Sequence, residues 1–193
     1  MTKPAMYKFI YYCLVLITTS LPLLATTTPS ERLTSNTQTH AIKVGDTVAN
    51  NDFLYRKIIE ITAEGYYKVQ NFYKQIDSKQ SDIFVIKETK NLNYFQPLNY
   101  YNLQNLIFDG PLTLWSINGH KALEITVSNG NAEGLFKSYD GTNGNIEIEG
   151  NYKLGRPEGL WQYWDLDGNI EKQIYYKAGV IQWQKDSINI KGI

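Results

Sequence analysis

The sequence predicts an all-β protein, an elongated antiparallel β-meander of stacked hairpins behind an N-terminal signal segment. Three observations predict it. Fifteen Tyr, seven Phe and four Trp favour strands over helices. Glycines recur at matching offsets through the C-terminal half. Apolar residues alternate with polar ones between those glycines, and no segment after the leader carries a helical apolar stripe of useful length.

Residues 1–25 differ from the rest. MTKPAMYK holds two lysines and no acid, and FIYYCLVLITTSLPLLA is an apolar run of 17 residues. This is the basic and apolar layout of a secretory signal, with Ala25 as the expected cleavage point. An uncleaved membrane anchor is the competing reading, and it is the one route by which the protein would engage a membrane. Export to the periplasm, the cell envelope or the medium follows from either. Cys13 is the only cysteine and lies inside the apolar run without the small-residue pair of a lipid-attachment signal. Cleavage leaves no thiol, which excludes disulfides and cysteine catalysis. The formal net charge of zero gives no basic field for nucleic acid.

Residues 26–45 are rich in Thr and Ser and read as a flexible tether. Residues 46–109 read as a degenerate β region. RKIIEITA and YYKVQNFYK flank Glu64-Gly65 in strand–turn–strand order, and DIFVIKE is a third short strand. A faint early unit is visible in VQNFYKQIDSKQSDIFVI, where Phe72-Tyr73 sit as an aromatic pair and Asp77-Ser78 replace a turn glycine. Residues 88–106 lack any period and predict an irregular insertion.

From residue 110 the chain divides into units 110–133, 134–158 and 159–182, followed by a C-terminal capping segment. Gly110, Gly134 and Gly159 open them; Gly119, Gly144 and Gly168 follow, and then Gly130, Gly155 and Gly179. After the last of these, the slot for the next opening glycine holds Trp183. Leu112, Phe136 and Trp161 form one column and Trp115, Tyr139 and Trp164 another. Leu123, Ile125 and Val127, then Ile146, Ile148, Gly150 and Tyr152, then Ile170, Lys172, Ile174 and Tyr176 share one face by period-2 alternation. Asn118-Gly119, Asn143-Gly144 and Asp167-Gly168 suit hairpin turns.

The pattern G-x-[WFY]…DG-N-I…Y-x-x-G-x-x-x-G, clearest over residues 134–179, resembles the variant MORN repeat carried by proteins labelled YwqK-family antitoxins. The resemblance covers about half the chain. It implies a single-layer β scaffold or binding surface and, for some relatives, neutralisation of a partner toxin. The leader departs from the cytoplasmic setting usual for toxin–antitoxin pairs, and the insertion has no place in the repeat.

Chemical motifs are sparse. Asp165, Asp167 and Asn169 match the start of a calcium loop, but Ile170 stands where the sharp turn demands glycine and Tyr176 where a bidentate Glu is needed. His40 and His120 have no nucleophile motif near them, and Gly155-x-x-x-Gly159 lacks the lysine of a phosphate loop. No cofactor or metal is expected. Glu124, Glu147, Glu149 and Glu171 fall on the phase opposite the apolar one. Their expected separations, roughly 6.5–10 Å, suit a solvated or docking face better than a shared metal. With outward aromatics such as Trp164 and Tyr175, they are the candidate partner-binding residues. The favoured function is a non-catalytic protein-binding scaffold of immunity or antitoxin type, with a protein partner such as a toxin. A cell-envelope structural or glycan-binding module is the alternative, and a hydrolase with its site in residues 46–109 is third.

Overall fold

A computed structural model describes residues 41–96, 98 and 103–187. The leader and most of the tether lie outside these residues, as do His40 and the last six residues. Twelve strands make one open antiparallel sheet, and no α-helix occurs among the described residues. The strands are β1 (Thr47–Asn50), β2 (Leu54–Ile61), β3 (Tyr67–Tyr73), β4 (Phe84–Ile86), β5 (Phe108–Trp115), β6 (Lys121–Ser128), β7 (Asn131–Ala132), β8 (Gly134–Tyr139), β9 (Ile146–Lys153), β10 (Arg156–Trp164), β11 (Ile170–Lys177) and β12 (Val180–Asp186). Spatial order follows chain order, with the short β7 beside β6.

Two turn types alternate along the second half. Asn129-Gly130, Leu154-Gly155 and Ala178-Gly179 each place two successive residues at positive φ, near 50° and then 74–83°. This is the two-residue turn whose twist matches that of paired strands. The Asn-Gly and Asp-Gly pairs instead close longer turns. Gly119, Gly144 and Gly168 donate to the carbonyls of Ser116, Asp140 and Asp165, and only the glycine of each pair takes positive φ. Asp77 takes the same left-handed conformation (φ 53°) in the turn after β3.

Register shows how the opening glycines act. From Ala132 to Ser138 the chain uses six residues against four on β6 (Val127 to Leu123). From Glu158 to Gln162 it uses four against two on β9 (Asn151 to Glu149). Each stretch therefore carries two extra residues, around Gly134 and Gly159, as a bulge that bends the strand. β12 has no such bulge beside β11; Trp183 fills the glycine slot and the register shifts by a single residue.

One face of the sheet is the core. Ile58, Val69, Ile86, Leu112, Leu123, Ile125, Val127, Phe136, Ile148, Trp161 and Ile174 are all buried. Its densest part is aromatic. Trp161 stacks on Phe136 (centroids 5.5 Å apart), Tyr152 meets both edge-on at 5.0 and 5.5 Å, and Tyr176 closes on Trp161 at 6.0 Å. Gly150 pairs with Phe136 in register and lies beneath the indole. A Cβ there would stand 2.2 Å from Trp161 Cδ2. The absent side chain is the space that the indole fills, and the Trp161 Nε1–H donates to the Asn151 carbonyl at 3.1 Å.

The described residues of 88–106 lie outside every strand, as the sequence predicts, but three of them are built into the core. Leu92, Leu103 and Leu106 are buried. The backbone of Leu106 donates to Gly130, and Leu103 accepts from Ala132. At the other end of the stretch, Arg56 of β2 is 2% exposed. Its Nε donates to Asn71 Oδ1 at 2.8 Å, and a terminal nitrogen donates to the carbonyls of Leu92 and Tyr94 at 3.2 and 3.0 Å. The rings of Phe84 and Phe95 flank the guanidinium at 5.2 and 4.8 Å. Desolvation lowers its pKa to about 10, so it stays charged and is held by carbonyls and ring faces.

Gly150→Ala is expected to destabilise the fold by about 3 kcal/mol through overpacking against Trp161. Trp161→Ala costs about 3–5 kcal/mol through the cavity it leaves. The double variant should cost clearly less than the sum, because the indole that clashes is gone. Urea unfolding of the four proteins reads this directly.

Candidate interaction surface on the open face

The opposite face of β5–β12 carries the glutamates singled out in the sequence. Thr113, Glu124, Lys137, Glu149, Gln162, Gln173 and Lys185 are successive cross-strand neighbours. Lys137 stands between Glu124 and Glu149, and its Nζ lies 3.2 Å from Glu149 Oε2. Lys121 Nζ is 2.5 Å from Glu124 Oε1, and the Tyr139 hydroxyl donates to the same carboxylate. Glu124 and Glu149 are thus members of an alternating charge row rather than of a bare acidic stripe. Glu147, two residues before Glu149 on β9, and Glu171 on β11 are half-buried.

Partial burial alone would raise the Glu124 pKa. The hydrogen bonds from Lys121 and Tyr139, and the charges of Lys121 and Lys137, outweigh it and leave the carboxyl below its ordinary value. Burial, followed by the bond to Glu124, pushes the Tyr139 phenol well above its usual range.

Beside the charged row runs an apolar one. Leu160, Tyr175 and Trp183 are cross-strand neighbours on β10, β11 and β12. They are 39%, 41% and 45% exposed, and the Tyr175 and Trp183 rings lie parallel within 11° at 5.9 Å. Leu135 of β8, 48% exposed, lies opposite Asn151 in β9. Of the aromatics singled out in sequence, Tyr175 belongs to this row. Trp164 is half-buried at the end of β10, where the register with β11 shifts. Trp161 and Tyr163 belong to the core, and Lys172 Nζ sits 5.0 Å over the Tyr163 ring.

The structure assigns other charged residues to the turns. Asp165 Oδ1 accepts the backbone N–H groups of Asp167 and Asn169 at 2.9 Å each, which closes the turn that resembles the start of a calcium loop. Glu133 Oε2 accepts the N–H of Leu154 at 2.9 Å, and Glu158 Oε2 accepts that of Ala178 at 2.5 Å. Each carboxylate steadies a non-glycine residue held at positive φ. Asp109 receives a backbone bond from Asn129 at the corresponding turn and pairs with Lys87. His120 is exposed and borders the Gly144 turn.

No group of three or more His, Cys, Asp or Glu residues is placed to hold a metal among the described residues, and none of their helices is long and apolar enough to cross a membrane. A shallow open depression of about 430 Å³ lies along the two-residue turns, lined by Gln104, Gly155, Arg156, Pro157 and Gly179 among others. Compared with known proteins, the chain matches no family model and no curated protein.

Glu124 ties stability to acid. Its folded-state pKa lies below the ordinary 4.5, so its contribution is present above that pH and is lost as pH falls through the folded value. Glu124→Gln should therefore be less stable than the parent at neutral pH, and the gap should close below pH 4.5. Thermal melts across pH check this, and added salt should narrow the gap at neutral pH.

Proposed function

We propose that the protein is an exported, non-catalytic binding scaffold of variant MORN-repeat type, whose sheet holds a partner protein in the manner of an immunity or antitoxin protein. The leader sequence supports export, and the glycine pattern supports the repeat assignment. The observation that carries the binding role is the exposed Leu160–Tyr175–Trp183 row. An apolar row with a polar border on a rigid sheet suits a protein partner, because aromatic anchors inside a polar rim dominate such interfaces.

The charge row beside it then sets orientation. Lys137 between Glu124 and Glu149, Gln162 and Gln173 further along, and Lys185 at the edge offer alternating donors and acceptors at strand spacing. Such a surface favours one partner register and penalises others more than it adds affinity. A toxin domain bound there would be blocked by occlusion, with no chemistry required of the scaffold.

Affinity purification from the exported fraction should give one stable stoichiometric partner. Tyr175→Ala should weaken that complex by at least 2 kcal/mol, about 30-fold in Kd. Glu149→Gln should change the association rate and its salt dependence more than the dissociation rate. A complex that survives Leu160→Ser together with Tyr175→Ser at parental affinity would place the partner elsewhere and remove this reading.

A further inference from the structure

The two edges of the sheet differ. β1 is four residues long, which discourages further strand addition. β12 is seven residues long, and every one is exposed, including Val180, Ile181 and Trp183. Among the described residues no strand pairs with its outer edge, and a strand of that length left open is a template for another strand.

The hydrogen-bond phase of that edge can be read from its end. The Ser187 N–H donates to the Glu171 carbonyl at 2.8 Å, and the register continues as Gln173↔Lys185 and Tyr175↔Trp183. Bonded and non-bonded pairs alternate in an antiparallel ladder, so Trp183, Lys185 and Ser187 turn their backbone groups toward β11. Gln184 and Asp186 therefore turn theirs away from the sheet, and the register shift between Ile181 and Trp183 ends the alternation.

We propose that this edge pairs with the β12 of a second copy, antiparallel, about a two-fold axis at Gln184. That register is self-complementary. Gln184 faces the partner's Gln184, so their outward backbone groups satisfy one another, and Gln182 faces the partner's Asp186. Trp183 and Lys185 both lie on the open face, beside Tyr175 and Gln173. In this register each indole receives the partner's Lys185, an ammonium-on-ring contact made twice.

The neighbouring registers are poorer. An axis at Lys185 sets two ammonium groups opposite each other. An axis at Trp183 brings Lys185 against Ile181, which pairs with the core-side Tyr176 across the register shift. A two-fold pairing closes on itself and leaves no growing filament. It also keeps the open faces of both copies on one side, so the two Leu160–Tyr175–Trp183 rows join across the seam. This association goes beyond the binding role above and does not depend on the identity of any partner.

Sedimentation equilibrium of the protein produced from the full-length sequence tests it, over about 1 to about 200 µM. A concentration-dependent dimer is expected. Gln184→Pro deletes an outward N–H while leaving the ladder to β11 intact, and should give a monomer with an unchanged far-ultraviolet spectrum. Lys185→Glu leaves the backbone untouched and should weaken the dimer by roughly tenfold, since the lost contact occurs twice. A monomer throughout the range, or parental dimerisation by either variant, overturns the proposal.

Discussion

The contact on which the second half of the sheet depends is that of the Trp161 indole with Gly150. An indole can lie flat against a neighbouring strand only where that strand has no side chain, and a Cβ at Gly150 would meet the ring at 2.2 Å. Once seated, the ring brings Phe136 and Tyr152 from two other strands onto its faces and edges. Three strands then share one cluster, and none of their registers can slip without unseating it. A slip of one residue would move Trp161 to the open face and Leu160 into the core. The cluster is thus a lock on register, and register decides what the open face displays.

The turns make the lock consistent from strand to strand. Two-residue turns at 129–130, 154–155 and 178–179 need positive φ at both positions, yet Leu154 and Ala178 fill the first position in two of them. Such residues carry strain of order 1 kcal/mol each. Glu133 and Glu158 offset it by accepting the N–H of the strained residue. A similar economy operates at Arg56, where a buried cation is held by three carbonyl oxygens and two rings. That cation fastens Leu92, Tyr94 and Phe95 to β2, while Leu103 and Leu106 are fastened near β7 and the 129–130 turn.

Much of this was legible in the sequence where a residue type has few uses. A glycine repeated at fixed offsets marks backbone that L side chains resist, so the turns announced themselves, whereas the bulges at Gly134 and Gly159 emerged only from the register. Alternation then placed Leu123, Ile125, Val127, Ile148 and Tyr152 on the buried face. What stayed hidden depends on partners across strands. Nothing local marks Lys137 as the residue between Glu124 and Glu149, because that follows from two registers at once. Arg56 shares a face with Ile58, where a charge contradicts the binary pattern, and its two backbone carbonyl partners lie more than 35 residues away in sequence. The strand Thr47–Asn50 is too short and polar to show alternation. The Asn-Gly and Asp-Gly pairs pointed to the turns, but the tighter two-residue turn fell instead to Asn-Gly, Leu-Gly and Ala-Gly at 129, 154 and 178.

The same register logic explains why the open face changes character toward β12. Where Gly134 and Gly159 stand, the strand bends and inserts two residues, so each earlier opening strand curves beside its neighbour. Trp183 occupies that slot in β12 and cannot adopt the glycine conformation without strain. The strand therefore runs on with a one-residue shift, and the indole turns to the open face beside Tyr175. One replacement thus has two effects. It extends the apolar row of Leu160 and Tyr175 to the rim of the sheet, and it spares the last strand the two-residue insertion that bends its predecessors. Surface chemistry and edge geometry at this end share a single cause.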